Sequence, residues 1–527
     1  MQMTIKRLRD GAVLALIFLA AWTGWSAPAT TTTKATARPA GGGLAQATSE
    51  TIVTGALIWL DSDSPYYAAG LRSRDMITKG NGQPILNDGD FYKVFAATTN
   101  TAQIQVEGLR DGKPFRATVP SVLPPDVSVG SYKWDWFRFM KYYATPGVAP
   151  DARLARAYES FDLRQYPQAQ LVFTSATKAG QQDPLTLTKL AWLLLSRRTP
   201  TDSKASVETA GKWLERALQN FDASLGDKET QSKLEGTYMI YCQAMGNTTQ
   251  AAIHGRRAIA LAPHIIGNRI NYYTMLSEAK TYDEAMVAAD ALAADYPRSV
   301  YFQRLKKAAN QRVDRMKGVI EASEALVNLM PDDIPTRLQL LPFLDRIADN
   351  YSIMIHCELL LGTKASALTD AQKATIKYYE AQVNYRRHSY RAAESLAREA
   401  IRLRGSGEDF FLLASIMHDR HKWKDAVIAY NNAQSKSWTT VARRDMVREL
   451  RDKMDDSIDH LWSWQIKSFP ATLQPMIRKR KQWLDERAVL KHSFVMRNRY
   501  GIRNALIGVG VIFILSGLVM RFVMSND

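Results

Sequence analysis

The sequence predicts a multidomain chain: a small, mostly-β domain, then an all-α repeat solenoid, then a single C-terminal transmembrane helix. Three observations predict it. Residues 49–121 carry short strand-like runs punctuated by turn residues. Residues 150–438 repeat small and apolar residues at a fixed helical period, and Ala505 to Met520 form a nearly continuous apolar run. At 527 residues the chain exceeds what one hydrophobic core organises. Its 46% hydrophobic and 23% charged residues are a globular composition rather than a disordered one. The formal charge of +17 favours acidic partners without specifying a fold.

Taken in order, Lys6, Arg7 and Arg9 precede a short apolar run, with small residues Ala27 and Ala29 behind it. That pattern predicts a signal peptide over 1–29. The Thr/Ala/Pro/Gly-rich stretch 30–48 cannot bury apolar surface and reads as a flexible linker. In 49–121, Ile52 to Leu60 have strand composition, Ser64-Pro65 open a helical turn, and Gly70 ends it. Asn81-Gly82 mark a tight turn, while Asn87, Asp88 and Asp90 cap an apolar helix. Two closing strands meet at Asp111-Gly112, a hairpin signal.

In order and spacing, Ser64-Pro65, Ala69-Gly70-Leu71, Asp75-Met76-Ile77, Asn81-Gly82 and Arg110-Asp111-Gly112-Lys113 resemble the PDZ domains of bacterial HtrA-type and site-2 proteases. Arg74 stands where that family usually has a glycine. The resemblance implies peptide binding by strand addition beside a helix. It points to Gly43-Leu44-Ala45 as a shortened carboxylate loop and to Phe91 and Phe95 as groove residues. The competing reading makes Gly41 to Gly43 linker and turns both phenylalanines into the domain's own core.

Residues 122–149 read as an aromatic-rich linker, in which 132–143 either pack at a domain junction or dock on a partner. In the array, Ala251, Ala258 and Pro263 recur 34 residues on as Ala285, Leu292 and Pro297, then as Val319, Leu326 and Pro331. Tyr390, Ala393, Ala397 and Ala400 precede a similar set, Trp423, Ala426, Tyr430 and Ala433. Ala157, Ala381 and Ala414 suit the small position of a first helix, and Ala169 and Phe173 suggest an earlier repeat. This spacing resembles the tetratricopeptide repeat (TPR), in which small residues let two helices cross closely and proline stops the second helix. The resemblance implies stacked helix pairs that bind peptide or protein partners, with a spacer role as the alternative.

Residues 439–503 read as a basic helical juxtamembrane segment, with Trp462, Trp464 and Trp483 among its charges. Arg478, Lys479, Arg480 and Lys481 are expected to face anionic lipid headgroups. A transmembrane helix over 504–524 and a tail over 525–527 complete the expectation. The bulk of the chain would then be exported to the periplasmic side, its C-terminus anchored in the cytoplasmic membrane. Cys242 and Cys357 suit buried free thiols. No metalloprotease, nucleophile-elbow, P-loop or nucleic-acid-reading motif occurs, and His418 with His421 lack further metal ligands nearby. The expected protein is a non-enzymatic, cofactor-free scaffold at the membrane. Its alternative is a regulatory or substrate-delivery subunit of a separate membrane protease or envelope assembly machine.

Overall fold

The computed structural model describes residues 52–488, apart from 99–101, 146, 147, 149, 197–202, 364 and 439–443. Six strands form one antiparallel sheet: β1 (Gly55–Trp59), β2 (Met76–Gly80), β3 (Gln83–Pro84), β4 (Gln103–Arg110), β5 (Lys113–Pro120) and β6 (Ser128–Tyr132). Their order is β5-β4-β2-β1-β6, with β3 paired to β2. The β4–β5 hairpin turns at Asp111 and Gly112, both at positive φ (50° and 76°), which matches the right-handed twist of the strands. Arg74 also sits at positive φ, 74°, the left-handed conformation for which a glycine is the usual choice.

One-turn helix α1 (Pro65–Ala68) and helix α2 (Asp88–Ala97) belong to this domain. Asn87 caps α2 by accepting the Asp90 N–H at 2.9 Å. Phe91 and Phe95, one helical turn apart, lie on the buried face of α2 with Ile58, Ile77, Ile104 and Val106. The segment expected as linker contributes structure of its own: β6 pairs with β1 from Gly55↔Tyr132 to Trp59↔Ser128, and helix α3 (Trp134–Tyr142) follows.

The array opens with α4 (Ala152–Asp162), α5 (Tyr166–Lys178), α6 (Pro184–Ser196), α7 (Ser203–Gln219), α8 (Lys228–Ala244) and α9 (Thr248–Leu261). It continues through α10 (Ile266–Glu278), α11 (Tyr282–Asp295), α12 (Val300–Arg312), α13 (Met316–Leu329), α14 (Ile334–Arg346) and α15 (Asn350–Thr363). Helices α16 (Asp370–Arg386), α17 (Tyr390–Leu403), α18 (Gly407–Asp419), α19 (Trp423–Ser435) and α20 (Arg444–Asp459) precede a last described helix over 474–488.

The periodic residues lie where close helix crossings need them. Ala251, Ala258, Ala285, Leu292, Val319, Leu326, Ala393, Ala400, Ala426 and Ala433 are all buried. Pro263, Pro297 and Pro331 each follow the end of a second helix. Turns within pairs are set by a left-handed residue that also recurs every 34 positions: Gly246, Lys280, Asp314 and Ala348 (φ 75°, 61°, 54° and 57°). The protein is therefore mostly TPR-like helical repeats with a small sheet region near its N-terminus.

This architecture corrects the expected fold class and localisation. Among the described residues no helix is long and apolar enough to cross a membrane, so the expected membrane-anchored class and placement are withdrawn. The longest described helices have 17 residues, short of the roughly 20 apolar residues that a spanning helix needs. The segments 1–29, 30–48 and 504–524, for which signal peptide, linker and membrane helix were expected, lie outside the described residues.

Candidate functional site

The sheet domain docks on the first helices of the early repeats. Tyr92 of α2 stacks near Tyr296 and Phe302, with ring centroids 5.6 and 5.9 Å away. Leu123 bridges to the array by backbone bonds, donating to the Arg298 carbonyl at 3.1 Å and accepting from the Val300 N–H at 3.2 Å. At Gly89 the approach is so close that an added Cβ would lie 2.7 Å from the His264 carbonyl oxygen.

Beneath α3 lies a network of buried charge. Arg138, 3% exposed, donates to Asp227 at 2.5 Å and to the Thr230 hydroxyl at 2.6 Å. It also pairs with Asp135 at 3.0 Å and Glu229 at 3.5 Å. Lys189 reaches Asp135 at 2.8 Å, and Lys233 pairs with the same carboxylate. Burial alone would raise the Asp135 pKa, but Lys189, Lys233 and Arg138 outweigh it and hold the carboxyl well below the usual range. Glu229 likewise overcomes burial through His264, Arg138, Lys233 and the Trp134 N–H, and falls to about 2. Both acids are thus ionised across the physiological range, and they clamp α3 to α6, α8 and the start of α10.

Beside this network is a cavity of about 430 Å³ between β6, α3 and the first helices α4, α6, α8 and α10. Trp59, Trp134, Phe161 and Trp192 supply aromatic walls. Two further carboxylates line it. Asp88 accepts the Ser131 hydroxyl at 2.7 Å, and Asp162 accepts the Lys133 N–H at 2.8 Å. Among the described residues neither has a lysine, arginine or histidine within 4 Å. Burial raises both: Asp88 upward despite Ser131, and Asp162 to about 7 despite Lys189. The cavity is therefore a polar chamber in which Lys189 and Lys233 pair with Asp135, Arg164 rests on Trp59 and Ser128, and Asp88 and Asp162 lack a close ion pair.

The residues expected to form sites lie elsewhere. Phe91 and Phe95, 1% and 2% exposed, have their rings 4.6 Å apart inside the sheet-domain core. The face of α2 that carries both packs on its own sheet. Gly43, Leu44 and Ala45 lie outside the described residues. In the basic run, Arg480 donates to Asp455 at 2.6 Å and Lys481 pairs with Asp459 at 3.2 Å and Asp485 at 3.5 Å. Arg478 and Lys479 remain exposed, as do Trp462 and Trp464 at 70% each. His418 is engaged by Asp456 at 2.8 Å, while His421 is a turn residue at positive φ. Both cysteines are buried and free. Sequence reading missed this network; Asp135 and Arg138, three apart in an aromatic helix, and Lys189, alone in an apolar one, are the signals that could have found it.

No protein-family model matches the chain, and no curated protein does. Among solved structures, it is similar to the C-terminal part of a TPR repeat-containing protein from Cytophaga hutchinsonii, with a TM-score of 0.34 and 12% identity over 48% of this chain and 95% of that one. It is also similar to a tetratricopeptide repeat protein from Parabacteroides merdae ATCC 43184, with a TM-score of 0.25 and 11% identity over 57% and 97%. A third similarity is to a structure of Naa15/Naa10 bound to HypK-THB, with a TM-score of 0.37 and 12% identity over 64% and 52%. At such scores the likeness carries no argument about activity; the repeat reading rests on the periodic geometry.

Proposed function

We propose that the chain is a non-enzymatic scaffold that holds a partner protein along the face formed by the first helices of its repeats. The observation that carries this is a set of cations beyond residue 300 that lack a close ion pair. Arg304 and Lys307 on α12 and Arg337 on α14 have no carboxylate within ion-pair distance among the described residues. Lys307 donates to the Gln339 carbonyl oxygen at 3.0 Å, and Arg337 to His356 at 2.9 Å and the Pro331 carbonyl at 3.2 Å. Burial lowers the pKa of both; Arg304 adds to the effect at Lys307, while Asp332 offsets part of it at Arg337. Lys307 and Arg337, each 9% exposed, cost stability for want of a close counter-charge, Arg304 stands exposed beside them, and an acidic segment of a partner would remove that cost.

The PDZ-like reading of 49–121 is part of the same proposal. Its support is the order of elements, strand, one-turn helix, strand pair, helix and hairpin, and the left-handed Arg74 in place of a glycine. The test is cross-linking in the native cell, followed by purification of the full chain and quantitative mass spectrometry. A triple variant Arg304→Glu, Lys307→Glu, Arg337→Glu should lose its stoichiometric protein partners by about tenfold or more, a change worth about 1.4 kcal/mol. Equal recovery by a folded triple variant would remove this face from the function.

A further inference from the structure

We propose that the junction cavity is a binding site for the ammonium group of a lysine side chain, presented in an extended segment of a partner protein. This rests on the scaffold reading above and names a second, chemically opposite contact. The first argument is charge. Lys189 and Lys233 are both committed to Asp135, and Arg138 to Asp227 and Glu229. Arg164 lies flat on Trp59, 3.7 Å from the ring centroid, and donates to Ser128 at 2.6 Å at the rim. Asp88 and Asp162 are left without a cation, so an anionic guest would face two carboxylates and a cationic one would satisfy them.

The second argument is the wall. Trp59, Trp134, Phe161 and Trp192 line the same chamber, and aromatic faces attract a desolvated cation; Arg164 already covers Trp59, so Trp134 and Trp192 are the walls left for a guest. Lys189 already shows the chemistry, its ammonium 3.6 Å from the centroid of Phe161. A third argument is shape. The volume of about 430 Å³ suits one long side chain with its flanking backbone rather than a folded domain. Val129, Gly130 and Ser131 of β6 line it, and β6 is an edge strand of the sheet, so an extended segment can run alongside. Among the described residues no group of three or more metal-ligating side chains occurs, which leaves an organic cation as the better fit.

The test is titration calorimetry of the full chain with two capped peptides, Ala-Ala-Lys-Ala-Ala and its norleucine analogue, which keeps the side-chain length and lacks the ammonium. The lysine peptide should bind about tenfold or more tighter than the analogue, and the double variant Asp88→Asn, Asp162→Asn should erase the difference. A single Asp162→Asn change should give an intermediate loss, with unchanged circular dichroism as the control for folding. Equal binding of both peptides, unchanged lysine binding by the double variant, or no binding of either at millimolar concentration would each overturn the proposal. The scaffold reading is read separately on the face at Arg304, Lys307 and Arg337. Partner recovery intact there with no lysine binding here would sink only the cavity.

Discussion

The junction and the downstream face use charge in opposite ways. At the junction, Arg138, Lys189 and Lys233 are each matched by acids from another element, and the surplus is negative. Beyond residue 300 the first helices carry Arg304, Lys307 and Arg337 without matching acids, and the surplus is positive. A matched buried network fixes two parts of one chain, because removing any member strands the rest. A buried cation held only by neutral groups ties its helices together less firmly and is retained at a cost, which is what a surface kept for a partner looks like. The difference separates residues that build the protein from residues that would serve it.

The sharpest way to break this comparison is at its centre. Arg138→Met would leave Asp135, Asp227 and Glu229 short of a buried partner, and about 3–5 kcal/mol of stability should be lost. Urea denaturation followed by circular dichroism measures it; a loss below about 1 kcal/mol would mean that the network is hydrated and not structural. Next in size, Tyr92→Ala removes the ring that meets Tyr296 and Phe302, at about 2–3 kcal/mol. Hydrogen exchange should then quicken in α2 and around the Leu123 bridge while α16 to α19 keep their protection. Uniform quickening would show that sheet and array unfold as one unit.

Much of this molecule was legible in its sequence, for physical reasons that also mark where reading stopped. Close crossings demand small residues, so Ala251, Ala285 and Val319 announced the second helices at their own period. The turns within pairs repeat just as strictly, yet Lys280, Asp314 and Ala348 take a left-handed φ without being glycine, and only Gly246 shows it by type. Asp111-Gly112 fixed its hairpin locally. Strand β6 did not announce itself, because SVGSY is weak strand composition and its partner β1 lies some seventy residues earlier. The aromatic segment 132–143 was legible as junction packing, but not what it packs on, since Asp135 meets Lys189 and Lys233 from helices far along the chain. Phe91 and Phe95 were open to either groove or core, and only the placement of α2 on its sheet decides for the core.

A smaller effect sharpens the negative side of the comparison. Burial and the neighbouring Asp135 raise the Asp162 pKa to about 7 against Lys189, the Lys133 N–H and Lys233, with Arg164 lining the same cavity. Because the unfolded carboxyl titrates near 4, the folded state holds its proton more tightly, and stability is lost as pH rises from about 4 to about 7. Asp162→Asn should therefore match the parent protein at pH 4 and exceed it at pH 8, by on the order of 1–2 kcal/mol given the solvent in the cavity. Thermal melts across that range check it. A gap that is constant with pH would mean that Asp162 ionises freely and that the surplus acid is already neutralised.

The smallest effect tests the positive side and is the most specific. Lys307 is desolvated, repelled by Arg304, and held by a neutral amide oxygen and the Phe343 ring rather than by an acid. Its folded pKa is depressed, so as an isolated chain the protein is better off without the charge. Lys307→Met keeps most of the side chain's apolar length and removes the ammonium, with its weak contact 5.9 Å from the Phe343 ring centroid. The melting temperature should rise by about 1–2 °C, the size expected for a few tenths of a kcal/mol. In the same variant, recovery of the cross-linked partner should fall, because the group that destabilises the free chain is the one an acidic segment would engage. A variant that is more stable and keeps its partner would leave Lys307 as a tolerated imperfection. A variant that is less stable would mean that the lysine is matched within the chain, and the two faces would then differ less than their charges suggest.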